Sequence, residues 1–247
     1  MTTTAAQPTS TTALVTGANK GLGRETVRAL AALAGLGWTV WLGARDESLG
    51  TAAAHELSAD GADVRYVALD VTDDASVAAA VATISAAGGL DVLVNNAGIV
   101  ESAKPIEDVD PADFLPVYGV NVLGPVRMTR AFLALLRQSA HPRIVNVSSG
   151  LGSFAATSDP DRIESQVTSL VDTSSKAALN MITTQYAKAL TGVKVNVVDP
   201  GYTGTDLNGH RGTQTVEEGA RAIIAAATLP LDGPTGTFTE GAGPAAW

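Results

Sequence analysis

The chain has no cysteine among its 247 residues, which excludes disulfides, thiolate nucleophiles and cysteine-based zinc sites. Its three histidines, His55, His141 and His210, are scattered without metal-ligand spacing, so no metal is expected. Positive charge is also scarce. Sixteen Lys and Arg against 25 Asp and Glu give a net charge of -9, which leaves no broad basic surface for nucleic acid or an anionic membrane. No apolar run approaches the roughly 18 residues of a membrane span. Residues 1–12, rich in Thr, Ala and Ser, lack the basic start and apolar core of a secretory signal. These absences predict a soluble, cytoplasmic protein with a flexible tail over 1–12 and one domain over 13–247.

What the chain does have is alternation. Short β-branched runs, Ala13 to Thr16, Thr39 to Leu42, Val64 to Ala68, Leu90 to Val94, Arg143 to Val147 and Lys194 to Val198, are separated by alanine-rich stretches with helical spacing. Leu22, Val27, Leu30 and Leu33 form one such stripe, and Val126 to Leu136 reads as a long helix. The alternation marks parallel βαβ units: an α/β, Rossmann-type, doubly wound parallel sheet of six to seven strands, Gly236 to Thr239 being the seventh. Two stretches break the rhythm, 150–171 and 203–215, both leaving the carboxyl edge of the sheet, where ligands collect. Phe154, Ile163, Tyr202, Leu207 and Trp247 are the apolar candidates for a pocket there. Leu179, Ile182, Tyr186 and Leu190 on the predicted helix 173–190 are candidates for a homo-oligomer contact.

The first strand runs into Thr16-Gly17-Ala18-Asn19-Lys20-Gly21-Leu22-Gly23, which opens the first helix. Glycines at these positions let the backbone reach a pyrophosphate at a positive helix terminus, so the turn predicts a dinucleotide. The second strand ends in Gly43-Ala44-Arg45, where an NAD enzyme carries an acid. Arg45 suits a ribose 2′-phosphate, and Lys20 adds a second cation. NADP(H) is the expected cofactor, although Asp46 beside Arg45 points the other way.

With Asn95-Asn96-Ala97-Gly98 after the fourth strand, Ser148-Ser149 after the fifth and Pro200-Gly201 after the sixth, the chain resembles the short-chain dehydrogenase/reductase family, and its carbonyl-reductase-like branch most. The resemblance implies that Gly17, Gly21 and Gly23 lie at the pyrophosphate, with Asn19, Lys20 and Leu22 of the same turn also binding the cofactor, and Asp70 and Val71 near adenine. It further implies that Asn96 and Ala97 lie against the adenosine ribose and Thr203 at the nicotinamide carboxamide, with Gly98, Pro200 and Gly201 also at the cofactor. Such enzymes use an Asn, a Ser, a Tyr and a Lys. Three match as Asn121, Ser149 and Lys176, the last also a cofactor ligand, but at the Tyr position, four residues before Lys176, stands Asp172.

A ketone receiving hydride becomes an alkoxide and needs a proton donor. An Asp with an unperturbed pKa near 3.9, beside a Lys one helical turn away, favours the anion, and its reach is roughly 3 Å shorter than that of a Tyr. Three readings stay open. The small-molecule substrate is an imine or iminium, which an anionic Asp172 would stabilise. Alternatively a carbonyl is reduced with Ser149, a water on Asp172, or Tyr118 as donor, or the chain binds NADP(H) without turnover.

Overall fold

The computed structural model describes residues 10–59, 61–100 and 104–247. Most of the expected tail, 1–9, lies outside the described residues. Its end does not behave as a tail: the first strand, β1 (Thr11–Thr16), begins two residues before the predicted Ala13, and Thr11 and Thr12 pair with Trp38 and Thr39.

The remaining strands are β2 (Trp38–Ala44), β3 (Asp63–Ala68), β4 (Val92–Asn95), β5 (Arg143–Val147), β6 (Lys194–Val198), β7 (Phe238–Glu240) and β8 (Gly243–Pro244). They form one sheet in the order β3-β2-β1-β4-β5-β6-β7-β8. All neighbours are parallel except β7 and β8, whose short antiparallel hairpin adds a strand beyond the predicted six or seven. The order reverses between β1 and β4, and the crevice at such a reversal is where α/β sheets bind ligands.

Helices cover both faces, so the central strands β4, β5 and β6 are buried almost throughout rather than alternating. On one face lie α1 (Gly21–Ala31), α2 (Glu47–Ser58) and α8 (Val216–Ala227), packing Val27, Leu30, Ala53 and Ile223 against Val15, Val40 and Val94. The other face is covered by α3 (Asp74–Ala86) and α5 (Gly124–Leu136), whose Val77, Ile84, Met128 and Phe132 meet Leu14, Leu93 and Ile144. Between them α4 (Pro111–Tyr118) runs into α5 through a π turn, Gly119–Leu123. Single π turns of this kind are often retained at functional sites.

The 150–171 stretch holds a 3-10 turn at Gly150–Gly152, the short α6 (Phe154–Ser158) and a second 3-10 turn at Ile163–Gln166. It ends inside α7 (Leu170–Ala189), which starts three residues before the predicted 173. Leu179 and Leu190, candidates for a subunit contact, are buried in the chain's own core, and Tyr186 packs against it. Among the described residues no helix is long and apolar enough to cross a membrane, and no cluster of three side chains is suited to a metal.

Candidate active site

The glycine turn is held from two sides. Gly17 and Gly21 have φ values of +63° and +56°, a region that glycine enters without steric cost. Gly17 must also be bare because a Cβ there would lie 2.9 Å from Ala97 Cα. Asn96 ties the turn down: its Nδ2 donates to the carbonyls of Thr16 (2.8 Å) and Gly17 (3.2 Å). The Thr16 hydroxyl oxygen in turn accepts from the N–H groups of Asn96 and Ala97, both at 3.0 Å. The Asn96 side chain, expected along the adenosine ribose, thus joins the ends of β1 and β4. Lys20 puts no side-chain cap on α1, and the first turn, Leu22 included, has no acid. Its N–H groups are therefore left for an anion, which is the arrangement a pyrophosphate requires.

At the end of β2, Arg45 is exposed, and beside it one carboxylate oxygen of Asp46 accepts from Leu49 N–H at 2.9 Å and caps α2. Lys20 bonds Asp206 at 2.8 Å, and Asp206 also accepts from His210 Nε2 at 2.9 Å, so the 203–215 stretch is pinned to the glycine turn. Asp70 accepts from the N–H and hydroxyl of Thr72 (2.8 and 2.6 Å). These bonds, with Arg45 and Arg127 nearby, hold its carboxyl below the ordinary range. Val71 is buried, and Gly124 leaves room for it.

Asn121 sits in the π turn and clamps the loop after β4. Its Oδ1 accepts from Ile99 N–H (2.9 Å), and its Nδ2 donates to Ile99 O (2.9 Å) and Ser175 Oγ (3.1 Å). Ser175 donates to the Asp172 carbonyl at 2.8 Å, linking the clamp to α7. A Cβ at Gly98 would lie 3.6 Å from Asn121 Oδ1 and 3.8 Å from Lys176 Nζ, so this loop, Asn121 and Lys176 converge. Lys176 Nζ donates to Val147 O at 3.4 Å. Burial pushes its pKa below the ordinary lysine range, against the pull of Asp172 and then Asp199.

Ser149 follows β5, and its hydroxyl accepts from Leu151 N–H at 3.2 Å. Asp172 lies in the first turn of α7 and is buried. Tyr118 ends α4 with its ring 5.6 Å from that of Phe114. Gly201, at φ +72°, donates to Asp199 Oδ1 at 2.8 Å. Thr203 is buried and donates to Pro200 O at 3.1 Å, while its bridge to Gln214 closes the 203–215 stretch at its base. Phe154, Ile163, Tyr202 and Leu207 all present exposed apolar surface. Trp247 is exposed as well, with its ring 5.3 Å from that of Phe238.

Sequence reasoning passed over Asp199, a carboxylate that is 3% exposed at the end of β6. The available signal was an acid directly after the apolar pair Val197-Val198, in Val197-Val198-Asp199-Pro200.

The geometry agrees with what comparison finds. A family profile described as short chain dehydrogenase matches residues 11–215. The (-)-isopiperitenone reductase of Mentha piperita is 34% identical, with 92% of this chain and 95% of that protein covered. The salutaridine reductase of Papaver bracteatum is 31% identical, with coverages of 92% and 93%. Among solved structures, an NADPH-bound carbonyl reductase from chicken fatty liver superposes with a TM-score of 0.84 at 30% identity, covering 96% of this chain and 99% of that one. A glycine turn tied to β4, the Asn121 clamp and Lys176 beneath it all lie within one sheet edge, and with these matches the chain belongs to the short chain dehydrogenase family.

Proposed function

We propose that this protein is an NADPH-dependent reductase of small organic molecules whose preferred substrate carries a carbon–nitrogen double bond. The observation that carries the reading is Asp172: an acid buried in the first turn of α7, four residues before Lys176, at the place where the family's pattern has a proton-donating Tyr. A helix N-terminus favours an anion, and Lys176 and Asp172 are near enough that the acid raises the amine's affinity for its proton.

Bound NADPH supplies a hydride. Asn121 and Lys176 position the groups around it, the first by holding the Ile99 loop, the second from below that loop. Asp172 serves a cationic carbon: the iminium accepts the hydride at carbon, its π pair returns to nitrogen, and the product is a neutral amine with no oxyanion to protonate. A ketone would develop negative charge beside that carboxylate and be disfavoured. The exposed apolar side chains of Phe154, Ile163 and Leu207 fit a hydrophobic ring system. Offering cyclic imines and matched ketones with NADPH tests the reading; turnover confined to ketones would overturn it.

The cofactor choice rests on Arg45, exposed at the end of β2. A charge-assisted contact to a 2′-phosphate contributes about 1.5–3 kcal/mol. Arg45→Ser should therefore raise the NADPH Michaelis constant about 10- to 100-fold while leaving NADH little changed. Equal loss for both cofactors would place the 2′-phosphate elsewhere.

A further inference from the structure

The turn that follows Ser149 lies directly on the backbone of α7. An ideal Cβ on Gly152 would lie 2.6 Å from Lys176 C, 2.8 Å from Lys176 O and 2.9 Å from Ala177 N, so only a glycine lets the Gly150–Gly152 turn approach this closely. Two further contacts come from the end of β5: Ser148 Oγ donates to Lys176 O and Lys176 Nζ to Val147 O, both at 3.4 Å. Another comes from one helical turn further along α7. Asn180 is 4% exposed, and its Nδ2 donates to Gly152 O at 3.0 Å. Gly152 N–H donates in turn to Ser149 O at 3.0 Å, so hydrogen bonds lead from Asn180 through Gly152 to the serine. Ser149 is half-buried between buried Ser148 and Gly150. Its hydroxyl oxygen accepts from Leu151 N–H, which leaves the hydroxyl hydrogen to donate to a substrate.

We infer that Asn180 is a positioning residue of this active site: it pins the Gly150–Gly152 turn to α7 and so fixes where Ser149 presents its hydroxyl relative to Lys176. The two side chains of α7 stand four residues apart, on one face of the helix. Close packing at Gly152 stops the turn from moving toward the helix but does nothing to stop it from lifting away. The Asn180 bond opposes that withdrawal. Reaction geometry requires such a restraint, since a displacement of about 1 Å at a reacting group costs about 100-fold in rate. The other end of the amide shows that its place in the core is not what it is for. Asn180 Oδ1 is buried and accepts from no protein group among the described residues. Asn180→Leu, of similar size, therefore removes the tie to Gly152 and a buried polar atom without a protein partner at once, two changes that act on stability in opposite directions. That variant should fold and lose only the restraint.

The inference rests on the reductase reading only for the reaction that Ser149 serves, and the test separates the two. Amide hydrogen exchange is followed first, in protein without cofactor or substrate. Asn180→Leu should speed exchange at Leu151 and Gly152 about tenfold while the amides of β1 and β4 exchange as in wild type. Kinetics follow with NADPH and whichever of a cyclic imine and its matched ketone is reduced, by single turnover where the rate is low. Asn180→Leu should lower kcat about 10- to 100-fold with the NADPH Michaelis constant near wild type. In a Ser149→Ala background the same change should lower it little further, because the amide acts through that serine. Exchange at the wild-type rate overturns the inference whatever the kinetics, and so do losses that multiply in the double variant. Faster exchange in a protein that reduces neither substrate sustains the tie and removes the substrate reading instead. Should Asn180→Leu fail to fold, Gly152→Ala lifts the same turn from α7, and its loss in kcat should also vanish in the Ser149→Ala background; a loss that persists there overturns the inference.

Discussion

Asp172→Asn should reduce imine turnover about 10²- to 10⁴-fold, the range for removing a positioned charge or acid–base group from a reacting centre. Asn keeps the size of the side chain and removes the charge. The loss of an anion from the first turn of α7 costs about 0.3–1 kcal/mol of helix stability, whereas a hundredfold fall in rate corresponds to about 2.7 kcal/mol. Lys176 also loses a buried carboxylate that favours its ammonium, so melting temperature and NADPH affinity are measured beside the rate, and the fall in turnover should exceed any fall in NADPH affinity. Asp172→Tyr is the complementary variant. It places a phenol next to Lys176 and extends the reach by roughly 3 Å, so ketone reduction should rise as imine reduction falls. Steady-state kinetics on a matched ketone and imine decide the matter: if Asp172→Asn reduces imines at the wild-type rate, the carboxylate takes no part in the chemistry.

The sheet was legible because its signals are local. A buried parallel strand announces itself as a β-branched run, as in Lys194–Val198, and the turn from Thr16 to Gly23 carries its glycines at fixed spacing. Less was legible where the chain departs from a period without an obvious breaker. The π turn at Gly119–Leu123 continues one helix into the next, and its one extra residue leaves no mark in the apolar pattern. The ties that assemble the site span great sequence distances: Asn96 to Thr16, Lys20 to Asp206, Arg162 to Glu240. Each partner alone reads as a polar surface residue, and only the strand order brings it to the other. Asp46 shows a subtler limit, since its sequence position suited a ribose and gave no sign that its carboxylate also caps α2.

Gly23→Ala should weaken NADPH binding about 100-fold, because the added methyl has nowhere to go. Its Cβ would lie 2.5 Å from Asn96 Nδ2, 2.7 Å from Gly17 O and 2.9 Å from Ala18 Cα. Two of these are backbone atoms, and the third is the amide that donates to Thr16 and Gly17. Relief therefore requires either the turn to bend or Asn96 to let go. Overpacking of this kind costs about 1–3 kcal/mol, and a displaced turn also loses the N–H groups aimed at the pyrophosphate, which brings the total near the 2.7 kcal/mol of a hundredfold change. Gly21 gives the contrast. Its φ of +56° strains any other residue, but a Cβ there meets nothing closer than Thr205 Cγ2 at 3.6 Å. Gly21→Ala should then cost only the left-handed backbone penalty of about 1–2 kcal/mol, a smaller loss with a different cause. Gly35→Ala, with no atom within 4 Å of its added Cβ, is the control and should bind as wild type. Calorimetric titration with NADPH should rank the three variants in that order. If Gly21→Ala binds more weakly than Gly23→Ala, the turn is governed by its backbone angles rather than by its contact with Asn96.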